Sequence, residues 1–243
     1  APYSAEGVEL EMVGDYKTQY IDITMSVMRA FGATVDNENY RTYRIPGRQQ
    51  YVGRNYTVEP DASNASYFFA AAALTGGRVR VSGISIDSAQ GDIHFVDVLE
   101  QMGCTVNRED SGIEVTGPER LDGVDIDMKE ISDTSLTLAA IAPFARGTVR
   151  IRNIEHTRWQ ETNRIAAMVT ELRKLGVEVE EHQDGVSITP SEIRPAAIDT
   201  YDDHRIAMSF ALIGLKAPGI RINDPGCVSK TFPTYFDVLE TIR

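Results

Sequence analysis

The chain has 243 residues, 42 % of them hydrophobic and 25 % charged, a composition that builds one large or two ordinary globular domains and excludes disorder. A formal net charge of -12 argues against a face made for nucleic acid or anionic lipid, so any bound anion must be held locally. Cys104 and Cys227 follow no metal-ligand spacing and form no disulfide framework, which predicts a reducing, cytoplasmic setting, and no apolar run nears the roughly 20 residues of a membrane span.

The first predicted element is a strand in "VELEMVG" from Val8, where apolar and polar side chains alternate. An amphipathic helix follows and stops at Gly32, where glycine permits a left-handed cap. "SNASYFFAAAAL" from Ser63 is a second kind of helix, apolar on nearly every side and so expected to be central. The pattern then recurs. The strand "VRVSGIS" from Val79 leads into a helix ending at Gly103, and "SDTSLTLAAIAPFA" from Ser132 is the next central helix. The strand "VRIRNIE" from Val149 precedes a helix with Ile165, Met168, Val169, Leu172 and Leu175 on one face and Gly176 at its end. Two strands, "VEVEEH" and "VSITP", are predicted to turn at Asp184-Gly185 as a hairpin. The central helix "DDHRIAMSFALIGL" follows, then the strand "IRINDPG" from Ile220 and a helix over 232–242 with Pro233 in its first turn.

The four strand starts lie 71, 70 and 71 residues apart. A strand, helix, two strands and helix at that spacing form a supersecondary module, and stacked copies bury what one cannot. The last copy stops after its first helix, and "APYSAEG" at Ala1 reads as a helix end and a turn, so the expectation is that sequence is missing upstream.

Candidate chemistry gathers at the helix starts. Twelve residues after each strand start stand Tyr20, Gly91, Glu161 and Phe232, unlike side chains at one repeated position, as suits a position that faces a site. Lys17, Arg164, Arg205 and Lys230 lie close by, although a helix N-terminus favours acids, so they point to a bound phosphate or carboxylate. The bland alternative pairs Arg164 with Glu161 and Arg205 with Asp202. Likewise Ser63, Asp133 and Asp202 read as helix caps, and His204 as either a proton donor or a hydrogen-bonded helix-end imidazole. "GCVSKT" at Gly226 lacks the glycine spacing of a phosphate-binding loop, and the four histidines show no zinc spacing.

Several segments resemble the enolpyruvyl transferases, and among them the 5-enolpyruvylshikimate-3-phosphate synthases: "YDDHRIAMSFAL", "DPGCVSKTFPTYFD", "RWQETNRIAAMVTELRKLG", "QYIDITMSVMRAFG", "EPDASNASYFFAAAAL" and "QGDIHFVDVLEQMG". The resemblance spans essentially the whole chain. It implies an α/β (α+β) fold of repeated βαβαββ units about a pseudo-threefold axis, with residues 1–55 as the last unit of an N-terminal domain and 56–243 as most of a C-terminal domain. It further implies a monomeric full enzyme whose N-terminal half is the absent partner, and transfer of the enolpyruvyl group of phosphoenolpyruvate to shikimate 3-phosphate without metal or organic cofactor.

By position, the resemblance assigns proton transfer to Glu161, a hydroxyl-holding or basic role to Asp133, and a catalytic place adjoining the cations to His204. Arg164, Arg205 and Lys230 match cations around phosphoenolpyruvate, and Tyr20, Asp133, Gln160 and His156 match positions that face shikimate 3-phosphate. Gln160 stands where the family usually has lysine, and His156 replaces an asparagine, which predicts weaker anion affinity or altered tuning of Glu161. Three readings follow: an enzyme part, a non-catalytic anion-binding or partner-binding homologue, or transfer to a different acceptor, as in the sister enzyme that acts on a UDP-sugar. The combination of DDHR and KTFP counts against the third.

Overall fold

The computed structural model describes residues 1–14 and 18–242, so Lys17 lies outside the described residues. The chain divides into two compact units, 1–59 with 87–91, and 60–86 with 92–243.

In the first unit, β1 (Val8–Glu11), α1 (Gln19–Ala30), β2 (Asp36–Glu38) and β3 (Thr42–Ile45) make an antiparallel sheet of order β1-β3-β2 with a helix on it. Its small core is Met25, Val35, Tyr43 and Ile45.

The second unit repeats that plan. After α2 (Ala62–Thr75) come β4 (Arg78–Ser82), α3 (Phe95–Gln101), β5 (Thr105–Glu109) and β6 (Gly112–Thr116), in sheet order β4-β6-β5. Then follow β7 (Asp125–Asp127), α4 (Ser135–Ile141), β8 (Val149–Arg152), α5 (Arg164–Lys174), β9 (Val179–His182) and β10 (Gly185–Ile188), in order β7-β8-β10-β9. Last are β11 (Ala197–Ile198), α6 (His204–Ala211), β12 (Arg221–Ile222) and α7 (Tyr235–Thr241), with β11 and β12 paired. The predicted strands of the four copies are therefore β1, β4, β8 and β12.

Two strands escape the sequence reading. β7 and β11 precede the central helices and pair in parallel with the first strand of the following copy. With three and two residues they are too short to display a period of two. Including β7 and the central helix α4 turns the third copy into the βαβαββ unit β7-α4-β8-α5-β9-β10. The predicted hairpin is present, one residue early: His182 pairs with Gly185, and Gln183-Asp184 form the turn. Gly185 is needed for space, because a Cβ there would meet the Ile151 carbonyl oxygen of β8. Gly32, Gly103 and Gly176 close their helices at φ 88°, 96° and 79°, the left-handed region predicted for them.

The central helices are buried along nearly their whole length, and α4 packs against both α2 and α6. They meet at equivalent positions. Ser66 Oγ lies 3.2 Å from Thr137 Oγ1, which lies 3.4 Å from Ser209 Oγ, at sequence separations of 71 and 72. The repeat seen in sequence is thus realised as a polar contact among three buried helices.

Three predicted caps are corrected. Asp61, not Ser63, caps α2 by accepting from Asn64 N–H, and Asp203, not Asp202, caps α6 by accepting from Arg205 N–H at 2.9 Å. The residue at the α4 cap position is Thr134, which makes no side-chain cap, and this leaves Asp133 to other partners.

Candidate active site

"RWQETNRI" does not begin a helix at Arg158. A short 3-10 turn runs over Glu155–Trp159, the chain then opens, and α5 begins at Arg164 with Asn163 Oδ1 capping Ala166 N–H at 3.1 Å. Glu161 therefore precedes α5, whereas Tyr20 lies inside α1, so the twelve-residue count does not preserve a common helix-start position. Phe232 likewise precedes its helix, which begins at Tyr235 and not at 232.

The opening of α5 places Arg164 inward, 1 % exposed. Its Nε donates to Asp203 Oδ2 at 2.8 Å and its Nη2 to Asp203 Oδ1 at 3.3 Å. Nη2 also donates to Glu161 Oε2 at 2.9 Å, while Nη1 donates to Asp133 Oδ1 at 3.3 Å and Gln160 Oε1 at 2.5 Å. A guanidinium has five N–H groups, and all five are engaged. Asp133 accepts a second cation, Arg205 Nη2, through Oδ2 at 3.0 Å, so it bridges Arg164 and Arg205. The expected pairing of Arg164 with Glu161 is present, and that of Arg205 with Asp202 is replaced by Arg205 with Asp133.

Lys230 closes the net from the 3-10 turn Pro225–Lys230, its Nζ donating to Glu161 Oε1 at 2.8 Å. Its side chain is 55 % exposed, against 2 % for Arg164 and 13 % for Arg205. Burial pushes the Glu161 carboxyl up, but the Lys230 hydrogen bond and the Arg164 charge outweigh it and bring its pKa down to about 2. Glu161 is thus ionised across the neutral range. An open cleft of about 490 Å³ lies against it, lined also by Asp202, Asp224, Cys227 and Lys230.

His204, the first residue of α6, is 2 % exposed, with Nδ1 3.8 Å from Asp203 Oδ1. Burial and the Arg205 charge lower its pKa, with Lys230 and Arg164 adding and Asp203 opposing, so the imidazole is neutral at neutral pH. Its buried Nδ1 has no hydrogen-bond partner among the described residues, so the hydrogen-bonded helix-end reading is not met at that nitrogen. His156 Nε2 lies 2.9 Å from Ser132 Oγ, next to Asp133. Tyr20 belongs to the other compact unit, 40 % exposed on α1.

Two members of the site were missed from sequence. Asp203, fully buried, ties the start of α6 to Arg164; its signal was there, since an Asp directly before a helix accepts from the backbone two residues on, and the capping reading chose its neighbour. Tyr67 on α2, also buried, lies against Arg205: burial pushes its phenol up to about 12 and the Arg205 charge eases it.

The βαβαββ repeat around buried central helices, with this cation and carboxylate net at the helix starts, is the architecture of an enolpyruvyl transferase. An EPSP synthase from Acinetobacter baumannii superposes with a TM-score of 0.83 at 27 % identity over 98 % of this chain and 57 % of its own. The enolpyruvyl transferase NikO from Streptomyces tendae, at TM-score 0.71 and 21 % identity over 97 % of this chain and 55 % of its own, shares the fold. The model of EPSP synthase (3-phosphoshikimate 1-carboxyvinyltransferase) matches residues 1–239, and the chain belongs to that family. Among curated relatives, the 3-phosphoshikimate 1-carboxyvinyltransferase of Trichormus variabilis is 55 % identical over 97 % of this chain and 56 % of its own length. That of Aliivibrio salmonicida is 47 % identical over the whole chain and 57 % of its own length. The chain therefore spans a little over half the length of the relatives it matches.

Proposed function

We propose that the full-length protein transfers the enolpyruvyl group of phosphoenolpyruvate to the 5-hydroxyl of shikimate 3-phosphate and releases phosphate, acting in the cytoplasm. The observation that carries this reading is the convergence of Asp133, Glu161, Arg164, Arg205 and Lys230 in one hydrogen-bonded net beside an open cleft. The 3-phosphoshikimate 1-carboxyvinyl transfer for which the family is named supports it.

In this reading the 5-hydroxyl proton passes to a carboxylate as its oxygen bonds to C2 of phosphoenolpyruvate and C3 takes up a proton. The tetrahedral adduct then breaks its bond to the phosphate oxygen, and C3 gives a proton back as the double bond re-forms. Glu161 and Asp133 are the carboxylates for these transfers. Glu161 is ionised because Lys230 and Arg164 hold it. An anionic ligand that draws either cation away raises its proton affinity, so binding itself readies Glu161 to carry a proton.

Lys230, half-exposed and held among the described residues by Glu161, is the cation that turns to a phosphate or carboxylate with least rearrangement. Arg164 must first give up an acceptor, and Arg205 shares Asp133 with it. Tyr20, Gln160 and His156 are assigned to shikimate 3-phosphate, with Tyr20 in the smaller unit. Residues 1–55 are assigned to an N-terminal domain that the full protein completes and 56–243 to the C-terminal domain; the unit boundary near residue 59 supports that division. The two-stranded sheet β11-β12, against four strands in the preceding copy, supports a further segment from the absent half.

One observation favours a second reading. Every N–H of Arg164 is occupied by the protein, with Gln160 among its acceptors, so a non-catalytic homologue would hold an anion through Lys230 while Arg164 stays tied, and bind without turnover. Phosphate release by the full-length protein with both substrates decides between the two. The expected result is turnover that falls at least about a hundredfold in Glu161→Ala. Near-normal turnover in that variant overturns the assignment of Glu161, and retained binding without any release selects the second reading.

A further inference from the structure

Residues 199–202 join β11 to α6 and deliver Asp203, His204 and Arg205 to the site. Tyr201 and Asp202 both lie in the left-handed region, at φ 55° and 57°. A bulky aromatic residue enters that region rarely, and two such residues in succession are not a local preference of this sequence. The turn must be held by something outside it.

The holding group is on α5. Glu171 is fully buried, two turns beyond Arg164 on the same helix. Its Oε1 accepts from the Tyr201 hydroxyl at 2.6 Å and from Lys174 Nζ at 2.8 Å, and its Oε2 accepts from the Asp199 backbone N–H at 3.1 Å. Lys174 also donates to Asp199 Oδ2 at 2.6 Å, and Asn223 Nδ2, just past β12, donates to Asp199 Oδ1 at 2.7 Å. One buried carboxylate therefore holds the turn at Asp199 and at Tyr201.

Helix stability alone does not call for this. A Glu paired with Lys three residues on works at the surface, whereas a fully buried carboxylate must recover its lost hydration from well-placed donors. Two of the three donors here come from the turn and not from the helix. In consequence α5 grips the 199–205 segment twice, through Glu171 before the strained pair is complete and through Arg164 on Asp203 after it.

We propose that Glu171 and Tyr201 form a clamp that sets the start of α6 against the start of α5, and so act as positioning residues for the Arg164 and Arg205 pair without touching substrate. The clamp rests on the functional reading given above. Burial and the Glu171 carboxylate push the Tyr201 phenol up to about 12, which keeps its hydroxyl a donor throughout the neutral range.

The test uses the full-length protein with Tyr201→Phe, which removes only the hydroxyl of a side chain 40 % exposed, and with Glu171→Gln. Steady-state constants for both substrates are measured alongside the melting temperature. In Tyr201→Phe, KM for phosphoenolpyruvate is expected to rise about fivefold or more, KM for shikimate 3-phosphate to change less than about twofold, and the melting temperature to stay within about 2 °C. Glu171→Gln is expected to give a larger effect in the same direction. Wild-type constants in Tyr201→Phe overturn the clamp, as does an equal rise in both KM values that follows a fall in melting temperature. A wild-type protein without turnover sinks the functional reading instead. The clamp is then read from calorimetric titration with inorganic phosphate, where weaker binding by Tyr201→Phe supports it and unchanged affinity overturns it.

Discussion

Glu161→Gln keeps the shape of the side chain and removes its charge, so it isolates what Lys230 and Arg164 contribute at this position. The ordinary carboxyl value of 4.5 falls to about 2 in the fold. At about 1.36 kcal/mol for each tenfold change in proton affinity, that gap corresponds to about 3.4 kcal/mol. Glu161 is 31 % exposed and Lys230 55 %, so solvent screening reduces the net stabilisation to roughly 1–2 kcal/mol. The sign follows from linkage: a carboxylate whose pKa is depressed by folding stabilises the fold above pH 4.5, and that contribution is lost as pH falls from 4.5 towards 2. Urea unfolding of the full-length protein should therefore place Glu161→Gln about 1–2 kcal/mol below wild type at pH 7, with the gap closing as the pH is lowered through that window. A difference that stays constant with pH would refute the reasoning, because it would mean that the carboxylate gains nothing from its charge.

Gln160→Lys removes the acceptor at 2.5 Å from Arg164 Nη1 and adds a cation beside it. Affinity for inorganic phosphate, measured by calorimetric titration of the full-length protein, should rise about three- to tenfold at low ionic strength and lose that gain in high salt. Unchanged affinity would show that Gln160 does not limit the anion site. Thr137→Val fills nearly the same volume but ends the contacts to Ser66 and Ser209 at the meeting of the central helices. It should cost about 1–2 kcal/mol by urea midpoint and leave KM values untouched, while a shift in KM would tie this contact to the site.

Much of this fold is legible in the sequence because the signals are local. The alternation in "VRIRNIE", the apolar stripe from Ile165 to Leu175, the left-handed glycines and the turn before Gly185 each depend on residues a few positions apart. The separation of about seventy residues is legible for the same reason, since each copy repeats the same local signals. Helix caps were misplaced by a residue or two, because Ser, Asp and Asn crowd those starts and only geometry says which oxygen reaches an N–H.

The kinds of residue in the site were also apparent, and the resemblance gathered Asp133, Glu161, Arg164, Arg205 and Lys230 before their contacts were visible. Their pairing is another matter. Arg164 reaches Asp203 across 39 residues and Asp133 across 31, while Lys230 reaches Glu161 across 69. No local pattern encodes such distances. The strands β7 and β11 escaped for a related reason, as parallel pairing joins segments separated by a whole helix.

By itself, then, the sequence determined the repeat, the helices and strands that build it, and the charged residues available at the helix starts. Only the tertiary structure decided that Arg164 is a buried tie with every donor engaged, that Asp203 and not Asp202 faces it, and that Lys230 is the cation left nearest to solvent. The physical reason is that backbone preference acts over a few residues, whereas the state of a charge depends on burial and on partners that only the closed fold brings within hydrogen-bonding distance.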